Sequence, residues 1–167
     1  MAKKNQRIKL YNTITASAEK EISSITDREL WLIGIALYWA EGDKEKDYRP
    51  GTGVRFSNSD PRMIFLFLRW LIKICKVSKE KIFLEIYIHE NYKNEVQRFK
   101  DYWSRITGFS VEKFNKIYFK TNKINSKRKN QGGLYNGLLR VNVYESSSLN
   151  RKVSGWVNGI VKKCGIV

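Results

Sequence analysis

Eleven consecutive residues without a charge, 30–40, constrain the fold more than any other feature of this sequence. Thr26 and Glu29 precede them with the spacing of a capping box, which predicts that a helix starts there. Gly42 follows them and suits a left-handed C-cap, where the helix would end. A helix through such a stretch has no face that favours water. It must therefore be buried on every side, either in a core or against a partner.

Small residues along this predicted helix allow a second backbone to come close. They are Gly34, Ala36 and Ala40, and the last two share one face because they are four residues apart. A second copy of the chain packed on that face would bring two Glu41 carboxylates together. Paired carboxylates in a basic protein are a natural site for a divalent cation. The sequence thus predicts a homodimer with a cation site at the end of this helix.

The charge balance indicates a polyanionic partner. The 167 residues include 32 Lys and Arg against 16 Asp and Glu, which gives a net charge of +16. A small domain that basic repels itself when free, and its usual partner is nucleic acid, with an anionic membrane as the weaker alternative. The content of 42% hydrophobic residues is enough for a real core. We expect one domain at 26–167, preceded by a basic arm or helix at 1–25.

No segment predicts secretion, a membrane span or a zinc site. The charged start is not followed by an apolar run of signal-peptide length, and the apolar runs at 30–40 and 63–68 are too short to cross a bilayer. Cys75 and Cys164 lack metal-ligand spacing, and His89 is the only histidine. We therefore expect a cytoplasmic or nucleoid-associated protein.

Hydrophobic periodicity predicts an α+β fold. Helical spacing is found at 26–42, 61–75, 91–107 and 147–163. The alternation typical of strands is found at 54–58, 82–89, 117–120 and 138–144. The charged, turn-rich segment 43–53 is interpreted as a short strand and turn. This order favours one mostly antiparallel sheet with helices on one face and solvent on the other.

The solvated strand positions carry side chains that can hydrogen-bond base edges or phosphates. The predicted outward set is Arg55, Ser57, Glu85, Tyr87, His89, Tyr118, Lys120, Arg140, Asn142 and Tyr144. An ordinary solvated sheet face is the alternative interpretation. Nucleic acid is favoured because residues 113–144 contain eight Lys or Arg, including Lys123, and no acid. Within them, Lys127, Arg128 and Lys129 precede two glycines that would let the backbone approach a phosphate.

The nine residues from Gly34 to Gly42 resemble a divergent LAGLIDADG motif. In this alignment Ala36 takes the position of the first glycine, Trp39 that of the first acid and Glu41 that of the second acid. The elements that follow are similar to the αββαββα half of LAGLIDADG homing endonuclease-like proteins, with an extra helix at 91–107. Residues 56–71 also resemble a branch of bacterial proteins that share this core. The resemblance covers roughly residues 26–163.

The resemblance implies a homodimer that binds double-stranded DNA on a saddle-forming sheet and cleaves it with Mg²⁺. Two such helices pack face to face in that family, so the dimer helix would contribute Gly34, Ala36, Leu37 and Ala40. Glu41 would hold the metal, with Asp43 close behind it. A basic residue late in the sheet, Lys120 or Arg140, would stabilise charge on the phosphate, and Lys120 is the predicted catalytic partner.

Two alternatives to the nuclease stay open. The first acid of the motif is replaced by Trp39, which is compatible with a catalytically inactive DNA-binding regulator built on the same fold. An RNA-binding splicing helper, similar to a maturase, is the third hypothesis. A carboxylate at the C-terminal end of a helix is disfavoured unless a cation lies nearby. Either a metal ion or Lys44 is therefore the expected partner of Glu41.

Overall fold

The computed structural model describes residues 2–121 and 135–165, which form five α-helices, three 3-10 helices and a four-stranded sheet. The α-helices are α1 (Ala2–Glu21), α2 (Asp27–Glu41), α3 (Pro61–Lys73), α4 (Val96–Thr107) and α5 (Ser147–Lys163). The strands are β1 (Arg55–Asn58), β2 (Ile82–His89), β3 (Lys116–Lys120) and β4 (Leu138–Val143). The 3-10 helices are Lys79–Lys81, Glu90–Glu95 and Val111–Lys113. The predicted α+β class is confirmed.

The sheet is mixed, with the strand order β1-β4-β2-β3. Strand β4 runs antiparallel to both β1 and β2, whereas β2 and β3 are parallel. Strands β2 and β3 are parallel because α4, which connects them, carries the chain back to the end of the sheet at which β2 starts. The strand predicted within 43–53 is not formed. In its place there are two isolated bridges, Gly42 with Phe56 and Lys46 with Arg49.

Alternation along the strands separates a buried face from an open one, as predicted. The buried face packs beneath the helices and consists of Phe56, Ile82, Leu84, Ile86, Ile88, Leu139, Val141 and Val143. Helix α3 contributes most to the layer above it, with Ile64, Phe67, Trp70 and Leu71 fully buried. The other face of the sheet is free of helices in the described part of the chain.

The first turn of α2 confirms the predicted capping box. The Thr26 hydroxyl accepts a hydrogen bond from the Glu29 main-chain N–H at 3.2 Å, and the Glu29 carboxylate accepts one from the Thr26 N–H at 2.7 Å. The other end differs from the prediction, because Gly42 is extended, with φ −82° and ψ 155°. Glycine is needed there for space, since a Cβ would lie 2.3 Å from the Tyr38 ring.

Helix α2 is buried on one side and uncovered on the other. Gly34 lies on the buried side, where a Cβ would come within 2.0 Å of the Trp70 ring on α3. This corrects its assignment to the dimer helix, because its small size is used inside the chain. Ala36 and Ala40 are exposed, Leu37 is half-buried, and Trp39 is 48% exposed. The uncharged stretch is therefore not enclosed by the described part of its own chain.

Residues 1–25, predicted as an arm or helix, include α1, and its side chains from Lys3 onward are exposed. Among the residues that the structure describes, no helix is both long enough and apolar enough to cross a membrane.

Candidate nucleic-acid interface

The side of the sheet away from the helices, called the open face below, gathers the polar residues of all four strands. Each of its side chains is exposed or half-buried, and those of β1, β2 and β4 alternate with buried neighbours. The open face consists of Arg55, Ser57, Phe83, Glu85, Tyr87, His89, Lys116, Tyr118, Lys120, Leu138, Arg140 and Asn142. Tyr144 is exposed one residue after β4 ends.

The structure thus places every described residue of the predicted DNA-binding set on the open face or at its end. Lys123, Lys127, Arg128 and Lys129, which were also predicted, lie outside the described residues. The prediction omitted three members, Phe83, Lys116 and Leu138. Phe83 follows the same alternation as Glu85 and Tyr87, so the period of two could have found it. Lys116 was missed because β3 begins one residue earlier than its apolar pattern indicates.

Arg140 is held at the centre of the open face by its neighbours. Its Nε donates to the Ser57 hydroxyl at 3.0 Å, and its Nη1 donates to the Tyr87 hydroxyl. The Glu85 carboxylate lies 3.7 Å from Nη1 and accepts a hydrogen bond from Tyr87 at 3.1 Å. Nη2 makes no hydrogen bond with the part of the chain that the structure describes. The Nη2 edge of the Arg140 guanidinium is therefore held in place and can donate hydrogen bonds to a ligand.

The open face has excess positive charge. Glu85 is its one acid, and Arg140 pairs with it. Arg55, Lys116 and Lys120 have no ion pair among the described residues, so three cations are free to meet an anion. Burial is the main cause of a raised pKa at Tyr87, which therefore stays a neutral hydroxyl at physiological pH.

His89 is one of the half-buried members of the predicted set. Its ring lies 5.5 Å from that of Tyr135, and its main-chain N–H donates to the Tyr135 hydroxyl at 3.1 Å. Its Nδ1 is buried without a hydrogen-bond partner among the described residues. These contacts assign His89 mainly to the packing between the end of β2 and Tyr135.

Residues 42–43 lie alongside β1 and fix a carboxylate at the border of the open face. The Asp43 main-chain N–H donates to the Arg55 carbonyl at 3.0 Å. The Asp43 carbonyl accepts hydrogen bonds from the Tyr38 hydroxyl and from the Asn150 amide, the second at 3.2 Å. Glu41, the last residue of α2, is exposed and makes no hydrogen bond or ion pair with the described residues, Lys44 included.

The loop after α2 forms a basic cleft of about 360 Å³ beside Asp43. Four cations, Lys44, Lys46, Arg49 and Arg55, line it together with Gly42, Tyr48 and Thr52. Arg55 belongs to both the cleft and the open face, so the two are continuous. One acid among four cations makes this cleft suited to a phosphate group.

The cleft loop is anchored to α5. The Glu45 carboxylate accepts two hydrogen bonds from the Arg151 guanidinium, both at 2.8 Å, and one from the Gly51 main-chain N–H at 2.6 Å. These bonds, the Arg151 contacts first, lower the pKa of Glu45 to about 2. Asn150 adds a bond from its amide to the Thr52 carbonyl at 2.9 Å. The cleft cations therefore extend from a loop that is tied at several points.

A magnesium site is only partly provided by one chain. Glu41 and Asp43 supply carboxylate oxygens, the ligand type that Mg²⁺ takes. In residues 2–121 and 135–165, however, no three His, Cys, Asp or Glu side chains come together to hold a metal ion. Mg²⁺ usually keeps several waters and is held by one or two carboxylates together with substrate phosphates, and those would have to supply the remaining ligands here.

Lys120 does not lie near these carboxylates within one chain. It belongs to β3, whereas Asp43 lies beside β1 at the opposite edge of the sheet. Three strand spacings separate the edges, about 14 Å. Within one chain, Lys120 and Glu41 are therefore not brought together, and their predicted joint role would need one of them from a second copy. The cations nearest Asp43 are those of the basic cleft.

No protein-family model matches this sequence, and comparisons with curated proteins and with solved structures give no match either.

Proposed function

We propose that this chain binds double-stranded DNA as a homodimer, through the open face of its sheet. The observation that carries the proposal is the positioned Arg140 guanidinium among three unpaired cations, on a face whose single acid is already paired. A face of this kind attracts phosphates and offers donors to base edges.

The width of the open face favours a duplex. Arg55 and Lys116 lie on the two edge strands, which are about 14 Å apart across three strand spacings, and they are offset by two residues along the strands. The separation of the edge strands is close to the width of the major groove of B-DNA, about 12 Å. Cations at the two edges can therefore contact the phosphates of both DNA strands while Arg140 faces the groove between them.

The uncovered side of α2 supports the homodimer. Leu32, Ala36, Trp39 and Ala40 form an exposed apolar face, which a surface helix does not usually leave to water. A second copy packed there by two-fold symmetry covers both faces at once. The same packing would double the basic surface presented to DNA.

Replacing Arg55 and Lys116 together by glutamine is expected to weaken binding to duplex DNA about tenfold at moderate salt. It should also reduce the slope of log affinity against log salt by about one for each cation that contacts a phosphate. Fluorescence anisotropy with a labelled duplex over a series of salt concentrations measures both quantities.

The matched control replaces Arg69 and Arg105 by glutamine. Both are exposed arginines on the helical side, so the net charge changes by the same amount away from the open face. We expect its affinity to stay within about twofold of the wild type. Equal losses in the two variants would show that only total charge matters and would refute the open face as the binding surface.

A Mg²⁺-dependent endonuclease is the second candidate function, favoured by the unpaired Glu41 carboxylate next to the basic cleft. A carboxylate at the end of a helix gains from a nearby cation. In this proposal Glu41 and Asp43 bind magnesium, and the cleft cations hold the scissile phosphate in place. The metal would activate water and stabilise the leaving oxygen.

Glu41→Gln is expected to reduce cleavage of a DNA library in Mg²⁺ about 100-fold while duplex affinity stays within about threefold. Glu112→Gln, a substitution of another exposed glutamate, should cleave as the wild type does. Sequencing of the cleaved ends gives the rates. No cleavage by the wild type would remove the nuclease and leave the DNA-binding regulator, for which Glu41→Ala should leave affinity unchanged or improve it.

A further inference from the structure

Three groups of the open face form a stack that runs across its strands. The Arg140 guanidinium lies 4.5 Å from the centroid of the Tyr87 ring, on the β4 side. Tyr118 lies on the β3 side, with its ring 4.8 Å from that of Tyr87 and tilted by only 16°. The order is therefore cation, ring and ring, from the centre of the sheet towards its edge.

No described strand covers the outer end of this stack. Strand β3 pairs with β2 alone among the described strands, so Tyr118 occupies the edge position. Its side chain is 43% exposed, whereas Tyr87 is half-buried. A planar group placed beyond Tyr118 would extend the stack by one layer.

Two cations flank Tyr118 along β3, and the ammonium group of one of them, Lys120, lies 5.4 Å from the centroid of the neighbouring Tyr87 ring. Lys116 and Lys120 precede and follow Tyr118 by two residues, so both are on the open face, each about 7 Å along the strand. Both are exposed. An exposed aromatic ring between two cations matches a nucleotide, whose base stacks while its flanking phosphates meet the ammonium groups.

We propose that Tyr118 stacks on an unpaired base, so that the protein prefers DNA in which a paired segment adjoins unpaired nucleotides. This inference rests on the proposed function, because the open face must first hold the paired segment. Bases inside a duplex are stacked on both sides and present no free face to a side chain. Only an unpaired base can extend the stack of Arg140, Tyr87 and Tyr118.

The test compares a blunt duplex with the same duplex carrying a short single-stranded tail, whose first unpaired base is 2-aminopurine. Wild-type protein should bind the tailed probe about tenfold more tightly than the blunt one and quench the 2-aminopurine fluorescence. Tyr118→Leu should abolish both the preference and the quenching. Tyr118→Phe keeps the ring and should retain both.

Melting temperature, affinity for each probe and quenching of 2-aminopurine together distinguish the possible outcomes. Because Tyr118 is exposed, both variants should melt within a few degrees of the wild type, and the preference of each is read as the ratio of its affinities for the tailed and the blunt probe. Equal affinity of the wild type for the two probes, or a preference that survives in Tyr118→Leu, overturns the stacking position and leaves duplex binding intact. Failure of the wild type to bind either probe overturns the proposed function, and the stacking inference with it.

Discussion

Replacing Trp39 by aspartate is expected to dissociate the proposed dimer into monomers. Trp39 is 48% exposed in one chain and lies on the apolar face of α2 beside Ala36 and Ala40. Tryptophans at the centre of an interface contribute about 2 to 4 kcal/mol, and a buried unpaired carboxylate adds a further penalty. In a two-fold symmetric dimer both subunits carry the substitution at the interface, so its free-energy cost applies twice. We expect the dimer dissociation constant to rise about 1000-fold or more.

Sedimentation equilibrium over a range of protein concentrations measures this constant. The matched control is Phe65→Asp, which places the same charge at an exposed aromatic position on α3. It should leave the dimer intact. An unchanged mass for Trp39→Asp, or a wild type that is already monomeric at the concentrations that bind DNA, would contradict the dimer through α2.

The same variant separates dimerisation from DNA contact. Trp39 is outside the open face, so each monomer keeps Arg140 and the basic cleft. The two subunits of a dimer can bind one long duplex at the same time. Separating them removes this avidity and lowers the affinity for a long duplex by a large factor. On a duplex that only one subunit can cover, wild type and variant should bind alike. The comparison shows whether one open face is enough to bind DNA or whether two are needed.

Local chemistry allowed much of the fold to be predicted. The start of α2 depends on Thr26 and Glu29, three residues apart, so the sequence shows it directly. Alternation within single strands predicted which side chains share the open face, because successive residues of a strand point to opposite sides. Both signals are contained within a few residues, and neither needs knowledge of distant contacts.

The errors arose where a contact with another side chain, rather than the local sequence pattern, sets the constraint. Gly42 was assigned a left-handed conformation from its position after a helix, but its real constraint is the Tyr38 ring. Gly34 was assigned to a partner, although the group it accommodates, Trp70, is in its own chain. A small residue in the sequence indicates that another group packs closely against it, but it does not identify that group.

Strand order explains the largest change to the predicted site. Within a single chain, Lys120 and Glu41 can share a site only if β3 lies near β1. The observed order puts these strands at opposite edges, because β4 inserts between β1 and β2. Pairing between strands that are distant in the chain leaves no local pattern. Members of the open face were therefore predictable one by one, whereas their neighbours across the sheet were not.

Gly34→Ala is expected to remove a large part of the stability of the fold. The added Cβ would lie 2.0 to 2.4 Å from three carbons of the Trp70 ring, where ordinary carbon contacts are about 3.5 to 4.0 Å. Trp70 has no exposed surface and packs on Phe67, with ring centroids 5.5 Å apart. We expect a loss of about 3 kcal/mol or more in the free energy of unfolding, measured by urea denaturation.

The control is the same substitution in another helix. Gly155 lies in α5, and a Cβ built there meets no atom within 4 Å. Alanine is preferred to glycine in a helix interior, so Gly155→Ala should stabilise the protein by about 0.5 to 1 kcal/mol. Since both variants gain the same helix propensity, the difference between them measures the contact with Trp70.

A second variant keeps the prediction informative if Gly34→Ala fails to fold. Trp70→Leu alone should cost about 2 to 4 kcal/mol, because it leaves a cavity beside α2. Combined with Gly34→Ala, the new methyl group fills part of that cavity. The double variant should then be more stable than the sum of the single losses predicts, by about 2 kcal/mol. Strictly additive losses would mean that α2 and α3 do not meet at Gly34 and Trp70. Such a result would also remove the reason for placing the opposite face of α2, with Trp39, at the surface.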